Sequence, residues 1–325
     1  MESLFFSNLT SPPLLFFLLG VFAVVIRSDL DIPDQVAKFL SLYLLFAIGF
    51  KGGVAIAESE LSGVVVRDLL LATALSALIP FYVFFLVKRQ FGAANAAATA
   101  ATYGSISAVT FVTAISYLDA GEIEWSGYMV AAMALMESPA IIVGLLLYYR
   151  SQTSSQETSG ATMAEMIHES LSNGSVLLIV GSLVIGWISG PDGLAQVDLL
   201  VKDLFIGVLC LFLLDMGIVA ARRLQDLSSS EVKVSMLLLW GLVLPIVNAS
   251  VALVLVAGFN IPEGNALLLV VLAASGSYIA VPAAMRLALP QASPSVYLPM
   301  SLAISFPFNL LIGIPLYHQL INWLT

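Results

Sequence analysis

The chain has 325 residues, of which 60% are hydrophobic and only 10% are charged, and its formal net charge at pH 7 is -9. Soluble domains carry about 25% charged residues, so the composition excludes a soluble globular protein. It also excludes a nucleic-acid-binding protein, because the chain has no basic stripe to neutralise phosphates.

Apolar runs of membrane-spanning length follow one another along the chain. A spanning helix needs roughly 20 mainly apolar residues, and the runs between polar breaks predict ten spans. In the first half these are 12–26, 36–57, 66–87, 92–118 and 126–149, and in the second half 174–188, 199–221, 234–258, 264–289 and 295–320. We expect the first span to be retained, because residues 1–11 lack the basic region of a cleaved signal peptide. The predicted fold class is an all-α integral membrane protein with about ten transmembrane helices.

A hydrophilic segment divides the chain into two halves. Residues 151–173 are rich in Ser, Thr, Gln and Glu and have no apolar period, which indicates a linker between units 1–150 and 174–325. Basic residues concentrate at the connections that follow the odd-numbered spans, namely Arg27, Lys38, Lys88, Arg89, Arg150, Arg222, Arg223, Lys233 and Arg286. The positive-inside rule therefore predicts a cytoplasmic linker, with both termini outside.

The two halves repeat small and polar residues in the same order. The matched pairs are Gly52 with Gly217, Pro80 with Pro245, Asn95 with Asn265, Ser105 with Ser275, Ser107 with Ser277, and Pro139 with Pro307. Five is an odd number of spans, so the second half enters the membrane from the opposite side. The sequence therefore predicts two inverted five-helix repeats, an architecture typical of secondary transporters.

The fourth and ninth predicted spans contain residues that interrupt helices. Span 4 has Tyr-Gly-Ser-Ile-Ser at 103–107, and span 9 has Ala-Ser-Gly-Ser-Tyr at 274–278, followed by Pro282. These residues disfavour a continuous helix, so we expect spans 4 and 9 to be broken helices. The N–H groups at each new helix start would bind an anion without Lys or Arg. The predicted anion-binding residues are Gly104, Ser105, Ser107, Ser275, Gly276 and Ser277. Close packing of small residues is the alternative interpretation.

Charged side chains inside the spans are costly in hydrocarbon and therefore indicate function. Glu137 lies near the middle of span 5, and Asp215 lies beyond the middle of span 7. Oxygen ligands suit a hard cation such as sodium. The predicted sodium ligands are Glu137, Asp215, Asn95 and Thr102, with further carbonyl oxygens on Asn248 and Asn309. A proton carrier is an alternative role for Glu137, and an ion pair with Arg222 or Arg223 is the alternative for Asp215.

No enzymatic or cofactor pattern is present in the sequence. Two histidines and the single Cys210 have no metal-ligand spacing, and we expect Cys210 to be a small core residue. Motifs for a phosphate loop, a serine hydrolase or a zinc protease are absent. We therefore predict a protein that is not an enzyme and has no cofactor, with sodium as coupling ion. The lack of a bidentate Arg at the breaks favours a small monovalent oxyanion over a dicarboxylate or phosphate.

Four runs carry a resemblance to a known family. FAIGFKGG (46–53), YGSISAVTF (103–111), MESPAIIVG (136–144) and ASGSYIAVPAAMR (274–286) resemble the sodium-dependent bicarbonate transporters of cyanobacteria. The resemblance implies a homotrimer in the plasma membrane that imports bicarbonate with sodium for the carbon-concentrating mechanism. It also implies a cytoplasmic PII-like regulatory protein as partner, and it assigns bicarbonate to the serines and glycine of the two broken helices. The linker of this chain is shorter than the family leads one to expect.

Three other functions fit parts of the sequence. A sodium-coupled carrier of larger organic anions would share the ten spans and broken helices but need a roomier apolar cavity. An anion channel would show conductance that does not depend on sodium. A membrane scaffold or sensor would leave the repeated serine motifs and Glu137 unexplained.

Overall fold

The computed structural model describes residues 10–58, 62–151, 174–226, 232–278 and 280–324, and within these ranges all regular structure is helical. The first half contains α1 (Pro12–Val25), α2 (Asp34–Glu58), α3 (Gly63–Gly104), α4 (Ala108–Ala120), α5 (Tyr128–Leu135) and α6 (Glu137–Ser151). The second half contains α7 (Gly174–Asp198), α8 (Phe205–Asp226), α9 (Val234–Gly258), α10 (Glu263–Ala274), α11 (Ala280–Ala288), α12 (Pro294–Pro299), α13 (Phe306–Phe308) and α14 (Ile314–Leu324). Apart from Ser151, the predicted linker 151–173 lies outside the described residues.

Length and composition make this a multi-pass membrane protein. Six helical runs among the described residues are long and apolar enough to cross a membrane. This number is lower than the ten predicted spans for three reasons. Gly63–Ala120 contains two of them, the apolar helices Pro12–Val25 and Glu263–Ala274 are shorter, and helix α7, which contains the predicted span 174–188, is not among the six. Large apolar side chains point outward, such as Phe39 (66% exposed) and Val254 (72% exposed). An outward apolar surface of this kind suits lipid rather than water.

Glycine and proline shape the helices at a few positions. Helix α3 joins the third and fourth predicted spans without a loop, and it turns at Gly92, where φ is 77°. Helix α7 turns likewise at Gly190, with φ of 58°, just before Pro191. Positive φ is accessible to glycine at little cost, so each glycine provides a single non-helical residue at which two helical segments meet in a kink. The last predicted span contains Pro299, Pro307 and Pro315, and π-helical turns at Met300–Ser305 and Asn309–Gly313 interrupt it.

The helices pack as two groups. One, the four-helix group, consists of α1, α2, α7 and α8; the other, the broken-helix group, consists of α3–α6 and α9–α14. Within the four-helix group, α1 crosses α8 at Gly20 and Gly217, and α2 crosses α7 at Gly53 and Gly186. A Cβ on any of these glycines would lie 2.0–2.2 Å from a carbonyl oxygen of the partner helix. Only glycine permits so close an approach, so the two crossings hold the group together through backbone contact.

Candidate functional site

Both predicted helix breaks are present in the structure. Helix α3 ends at Gly104 and α4 begins at Ala108; α10 ends at Ala274 and α11 begins at Ala280. The first residue of each break has nearly the same extended backbone, with φ and ψ of -83° and -171° at Ser105 and -84° and 171° at Ser275. We call residues 105–107 the first break and residues 275–278 the second break.

The two breaks touch each other. The backbone N–H of Ser107 donates a hydrogen bond to Ser275 Oγ (2.9 Å). The backbone N–H of Ser277 donates to the carbonyl oxygen of Thr102 (2.8 Å). A Cβ on Gly276 would lie 3.6 Å from that same carbonyl oxygen and 3.3 Å from Ser301 Cβ. Part of the backbone hydrogen bonding that each helix loses at its break is therefore supplied by the other break.

Two asparagines satisfy carbonyl groups at the ends of the broken helices. Asn248 Nδ2 donates to the carbonyl oxygens of Tyr103 (3.2 Å) and Ala273 (3.0 Å). Asn309 Nδ2 donates to the carbonyl oxygen of Ala274 (2.9 Å). Helix ends leave carbonyls without intrahelical partners, and in hydrocarbon such groups must be satisfied by the protein. Their Oδ1 atoms, which we had considered as cation ligands, accept instead from the hydroxyls of Tyr82 (2.6 Å) and Tyr317 (2.9 Å).

The four serines of the breaks differ in the use of their hydroxyl groups. Ser107 Oγ accepts from the N–H (3.2 Å) and the hydroxyl (2.9 Å) of Thr110, and Ser277 Oγ accepts from the N–H of Val281 (3.2 Å). Both therefore act as acceptors at a helix start and keep their own hydroxyl hydrogen for another partner. Ser275 Oγ instead donates to the carbonyl oxygen of Leu272 (2.9 Å).

Three buried hydroxyls near the first break lack a hydrogen-bond partner among the described residues. They belong to Thr99, Thr102 and Ser105, which are spaced three residues apart and are each 0% exposed. A buried hydroxyl without a partner costs about 1–3 kcal/mol. Such a group calls for an explanation, and a bound ligand or ion is one.

A small cavity lies beside the breaks, between the two helix groups. Its volume is about 40 Å³, and its lining consists of Ser41, Leu45, Ile106, Ser107, Ala108, Val109, Met133, Ala134, Glu137, Ser277, Tyr278 and Ala280. One water needs roughly 10–15 Å³ by this measure, so the cavity has room for about three waters or one small polyatomic ion. Glu137, the first residue of α6, is the one charged residue in this lining among the residues that the structure describes.

The cavity combines a carboxylate with two helix starts. Ala108 and Val109 are the first residues of α4, and Ala280 is the first residue of α11. The N–H groups of a first helical turn carry partial positive charge and bind small anions. Glu137, when ionised, provides a full negative charge in the same space. The site can therefore hold an anion and a cation together better than either ion alone.

A larger cavity, which we call the vestibule, adjoins the small one. Its volume is about 400 Å³, and it is lined by Ala37, Lys38, Ser41, Leu42, Phe212, Met216, Val219, Arg223, Tyr278, Leu298 and Leu302. Ser41 and Tyr278 line both cavities. The vestibule lies between α2 and α8 of the four-helix group and the end of the broken-helix group.

The six predicted anion-binding residues fall into two sets. Ser107 and Ser277 line the small cavity, while Ser105, Ser275 and Gly276 lie in the breaks without being part of its lining. Gly104 has a packing role, because a Cβ there would lie 2.3 Å from the ring of Pro80. Close packing thus explains one of the motif glycines. The assignment of the serines to an anion stays a prediction.

The four predicted sodium ligands do not converge on one site. Glu137 lines the small cavity, and the carbonyl of Thr102 lies at the crossing of the breaks. Asn95 lies seven residues before Thr102 on α3, a separation of about 10 Å along a helix. Its Oδ1 accepts a hydrogen bond from the backbone N–H of Ser293 (2.7 Å). Asp215 is buried on α8, in the other helix group, and lines neither cavity.

Of the two alternative partners for Asp215, Arg222 pairs with Asp31, at 3.0 Å, and an ion pair of Asp215 with Arg223 stays a prediction. Sequence reasoning missed Ser41 and Tyr278 as cavity residues. Tyr278 directly follows the Ser-Gly-Ser motif, and Ser41 is an isolated hydroxyl in an apolar run. Both residues are visible in the sequence, but their place in the cavity lining follows only from the packing of α2 against the second break.

Comparison with known proteins identifies one family. The family model of the Na+-dependent bicarbonate transporter superfamily matches residues 12–322, nearly the whole chain. A search of curated proteins found no match.

Proposed function

The chain belongs to the Na+-dependent bicarbonate transporter superfamily, and from this premise we propose that it is a secondary active symporter that imports bicarbonate with sodium across the cyanobacterial plasma membrane. In this proposal bicarbonate occupies the small cavity, and its oxygens accept hydrogen bonds from the hydroxyls of Ser107 and Ser277 and from the N–H groups of α4 and α11. The protein is not an enzyme, and sodium is its coupling ion.

The observation that carries the proposal is the lone carboxylate beside two helix starts. An anion about 5 Å from Glu137 is repelled by about 3 kcal/mol at an effective dielectric constant of about 20, a factor of more than 100 in affinity. Sodium bound at the carboxylate removes this penalty and also lowers the cost of the buried charge. Bicarbonate then binds well only when sodium is present, which is the requirement for symport. The unpaired hydroxyls of Thr102 and Ser105 offer further oxygen ligands for the cation.

Glu137→Gln tests the coupling directly. The substitution preserves shape but removes the charge, so we expect the sodium concentration for half-maximal bicarbonate uptake to rise more than tenfold. Glu124→Gln is the matched control, because Glu124 is an exposed acid that does not line the small cavity. Uptake whose sodium dependence is the same in Glu137→Gln and wild type would reassign Glu137 to a structural role.

The size of the small cavity favours a small anion over a bulky one. A space of about 40 Å³ suits an ion of four heavy atoms, such as bicarbonate, but not a steroid-sized organic anion. The small volume therefore favours a bicarbonate carrier over a carrier of larger organic anions, which would need a roomier cavity. An anion channel would be recognised by a current that persists without sodium.

We further propose that units 1–150 and 174–325 are inverted repeats. Reciprocal contacts support this: Asn95 Oδ1 accepts from Ser293 N–H (2.7 Å), and its counterpart Asn265 Oδ1 accepts from Ser126 N–H (2.7 Å). Asn265 lies near the start of α10, and Asn95 lies just after the kink of α3 at Gly92. Each asparagine contacts the residue at the start of the span that follows the other break. The glycine crossings of α1 with α8 and of α2 with α7 have the same reciprocal form.

The partners in this proposal are lipid, two further copies of the chain and a regulator. Lipid contact is supported by the outward apolar side chains, whereas the homotrimer and a cytoplasmic PII-like regulatory protein follow from the family resemblance. A docking face for the regulator is offered by the basic residues Lys88, Arg89, Arg222 and Arg223. Binding of the regulator to right-side-out vesicles from their outer face would contradict this placement.

A further inference from the structure

Glu137 stands at a kink between two short helices. Helix α5 ends at Leu135, α6 begins at Glu137, and Met136 between them is a turn residue. Pro139, two residues after Glu137, has no N–H and therefore leaves the carbonyl of Leu135 without its usual helical partner. The direction in which α6 leaves this kink decides where the carboxylate of Glu137 lies.

Ser76 holds the chain at this kink. Its hydroxyl donates a hydrogen bond to the carbonyl oxygen of Met136, and its side chain is 0% exposed. Ser76 belongs to α3, so this bond connects the residue immediately before Glu137 to a neighbouring helix. A carbonyl at a kink needs a partner within the protein when it lies in hydrocarbon, because no water is available there.

Small residues fix the rest of α6 against α3 beside the first break. A Cβ at Gly144 would lie 2.9 Å from the carbonyl oxygen of Ala97, and one at Gly104 would lie 3.1 Å from Cβ of Ala140. Glu137, Ala140 and Gly144 are spaced three and four residues apart, so they share one face of the helix. Glu137 therefore lies one turn before the residue that faces Gly104, at the edge of the first break.

The second half has a similar hydrogen bond with donor and acceptor exchanged. Ser305 Oγ donates to the carbonyl oxygen of Gly241. When the two halves are aligned on their matched prolines, Ser305 takes the position of Glu137, and Gly241 takes that of Ser76. In the second half, the residue before the proline thus uses its own hydroxyl for the contact. In the first half Ser76 provides the donor, which leaves position 137 free for a carboxylate that lines the small cavity.

We propose that Ser76 is a positioning residue for sodium coupling: its hydrogen bond to Met136 fixes the start of α6 and thereby holds the Glu137 carboxylate at the wall of the small cavity. This inference rests on the proposed function and deepens it, because it names the residue that orients the proposed cation ligand. Ser76 is not part of the described cavity lining, so it acts through Glu137. A binding site must be held within about 0.5 Å of its productive geometry, and loss of a group that orients a metal ligand typically weakens metal binding about 10- to 100-fold.

Sodium-dependent melting of the purified full-length protein tests this role without requiring transport. Unfolding is followed in detergent at several sodium chloride concentrations, and choline chloride keeps the ionic strength constant. A cation that binds only the folded protein raises the melting temperature. We expect Ser76→Ala to need about tenfold more sodium than wild type for the same rise. Thr73→Val is the matched control and should need the same sodium concentration as wild type, because the Thr73 hydroxyl donates to Leu69 of its own helix.

A double variant separates positioning from a general loss of stability. Because Ser76 acts through Glu137, adding Ser76→Ala to Glu137→Gln should not raise the required sodium concentration further. Ser76→Cys, which keeps the size but donates only weakly, replaces Ser76→Ala in both comparisons if the alanine variant does not fold.

Three results would each overturn the inference: a wild-type sodium response in Ser76→Ala, additive shifts in the double variant, or wild-type protein that sodium does not stabilise. Failure of the proposed function has a different signature. Sodium would then stabilise the wild-type protein and Ser76→Ala would shift this response, but wild-type protein in liposomes would show no sodium-driven bicarbonate uptake.

Discussion

Serines of identical chemistry have different roles in the two breaks. Ser277 lines the small cavity, and its hydroxyl oxygen accepts a hydrogen bond at the start of its helix, so its hydroxyl can still donate to a ligand. Ser275 Oγ donates a hydrogen bond to the carbonyl oxygen of Leu272 and accepts one from the N–H of Ser107. The first arrangement suits ligand binding, and the second holds the crossing of the breaks together. Substitution of Ser275 therefore removes structural contacts.

Ser277→Ala should weaken bicarbonate binding. A hydrogen bond to a charged group contributes about 1.5–3 kcal/mol, so we expect the half-saturating bicarbonate concentration to rise about ten- to a hundredfold. Ser275→Ala is the matched comparison: it should chiefly lower thermal stability, because the buried N–H of Ser107 loses its acceptor. Uptake kinetics and melting in detergent measure the two effects. A Ser277→Ala protein with wild-type uptake would favour the packing interpretation of the motif.

At the scale of helices, the close crossings of the four-helix group require glycine at the contact positions. A Cβ at Gly186 would lie 2.2 Å from the carbonyl oxygen of Phe50, so α2 and α7 can approach only with glycine at this position. Gly181, five residues earlier on α7, would have nothing within 4 Å of its Cβ. The two glycines of one helix thus differ in what surrounds them, not in local conformation.

Gly186→Ala should destabilise the protein, whereas Gly181→Ala should not. Overpacking costs about 1–3 kcal/mol, while replacing an unconstrained helical glycine by alanine is favourable by roughly 0.5–1 kcal/mol. The melting temperature of purified protein in detergent distinguishes them. Equal melting temperatures for the two variants would mean that the α2–α7 crossing is looser than described.

Much of the helical pattern could be predicted because hydrophobicity and helix breakers are local properties. The breaks at 105–107 and 275–278 fall on the predicted motifs. The predicted start of the fourth span at Gly92 coincides with the kink in α3. The sequence did not predict that spans 3 and 4 join without a loop, because the charged residues Lys88 and Arg89 are typical of a connection, whereas the positive φ of Gly92 alone turns the chain. The roles of Asn95 and Asn248 depended on which elements lie opposite them, and one sequence does not give that information.

At the scale of the whole molecule, the charge distribution predicts orientation. Lys38 and Arg223 share the vestibule, while Asp119, Glu122 and Glu124 line a surface depression near the end of α4. Span order assigns these regions to opposite faces, and the positive-inside rule makes the basic face cytoplasmic.

Cysteine labelling in intact cells tests this orientation. In a Cys210→Ala background, Ser155→Cys in the linker should react only with membrane-permeant reagents, and Ser3→Cys near the N-terminus should react with impermeant ones. Both positions lie outside the described residues, and the assay requires only their side of the membrane. The reverse labelling pattern would invert the topology and make the vestibule face outward.

Sodium-coupled bicarbonate transport is tested most directly in proteoliposomes containing the purified wild-type chain. Uptake of radiolabelled bicarbonate is measured under an inward sodium gradient and, in parallel, with choline in place of sodium. Because bicarbonate in the small cavity requires a cation beside Glu137, we predict saturable uptake with sodium and uptake near the level of empty liposomes with choline. Equal uptake under the two conditions, or a bicarbonate current that persists without sodium, would contradict the proposed symport.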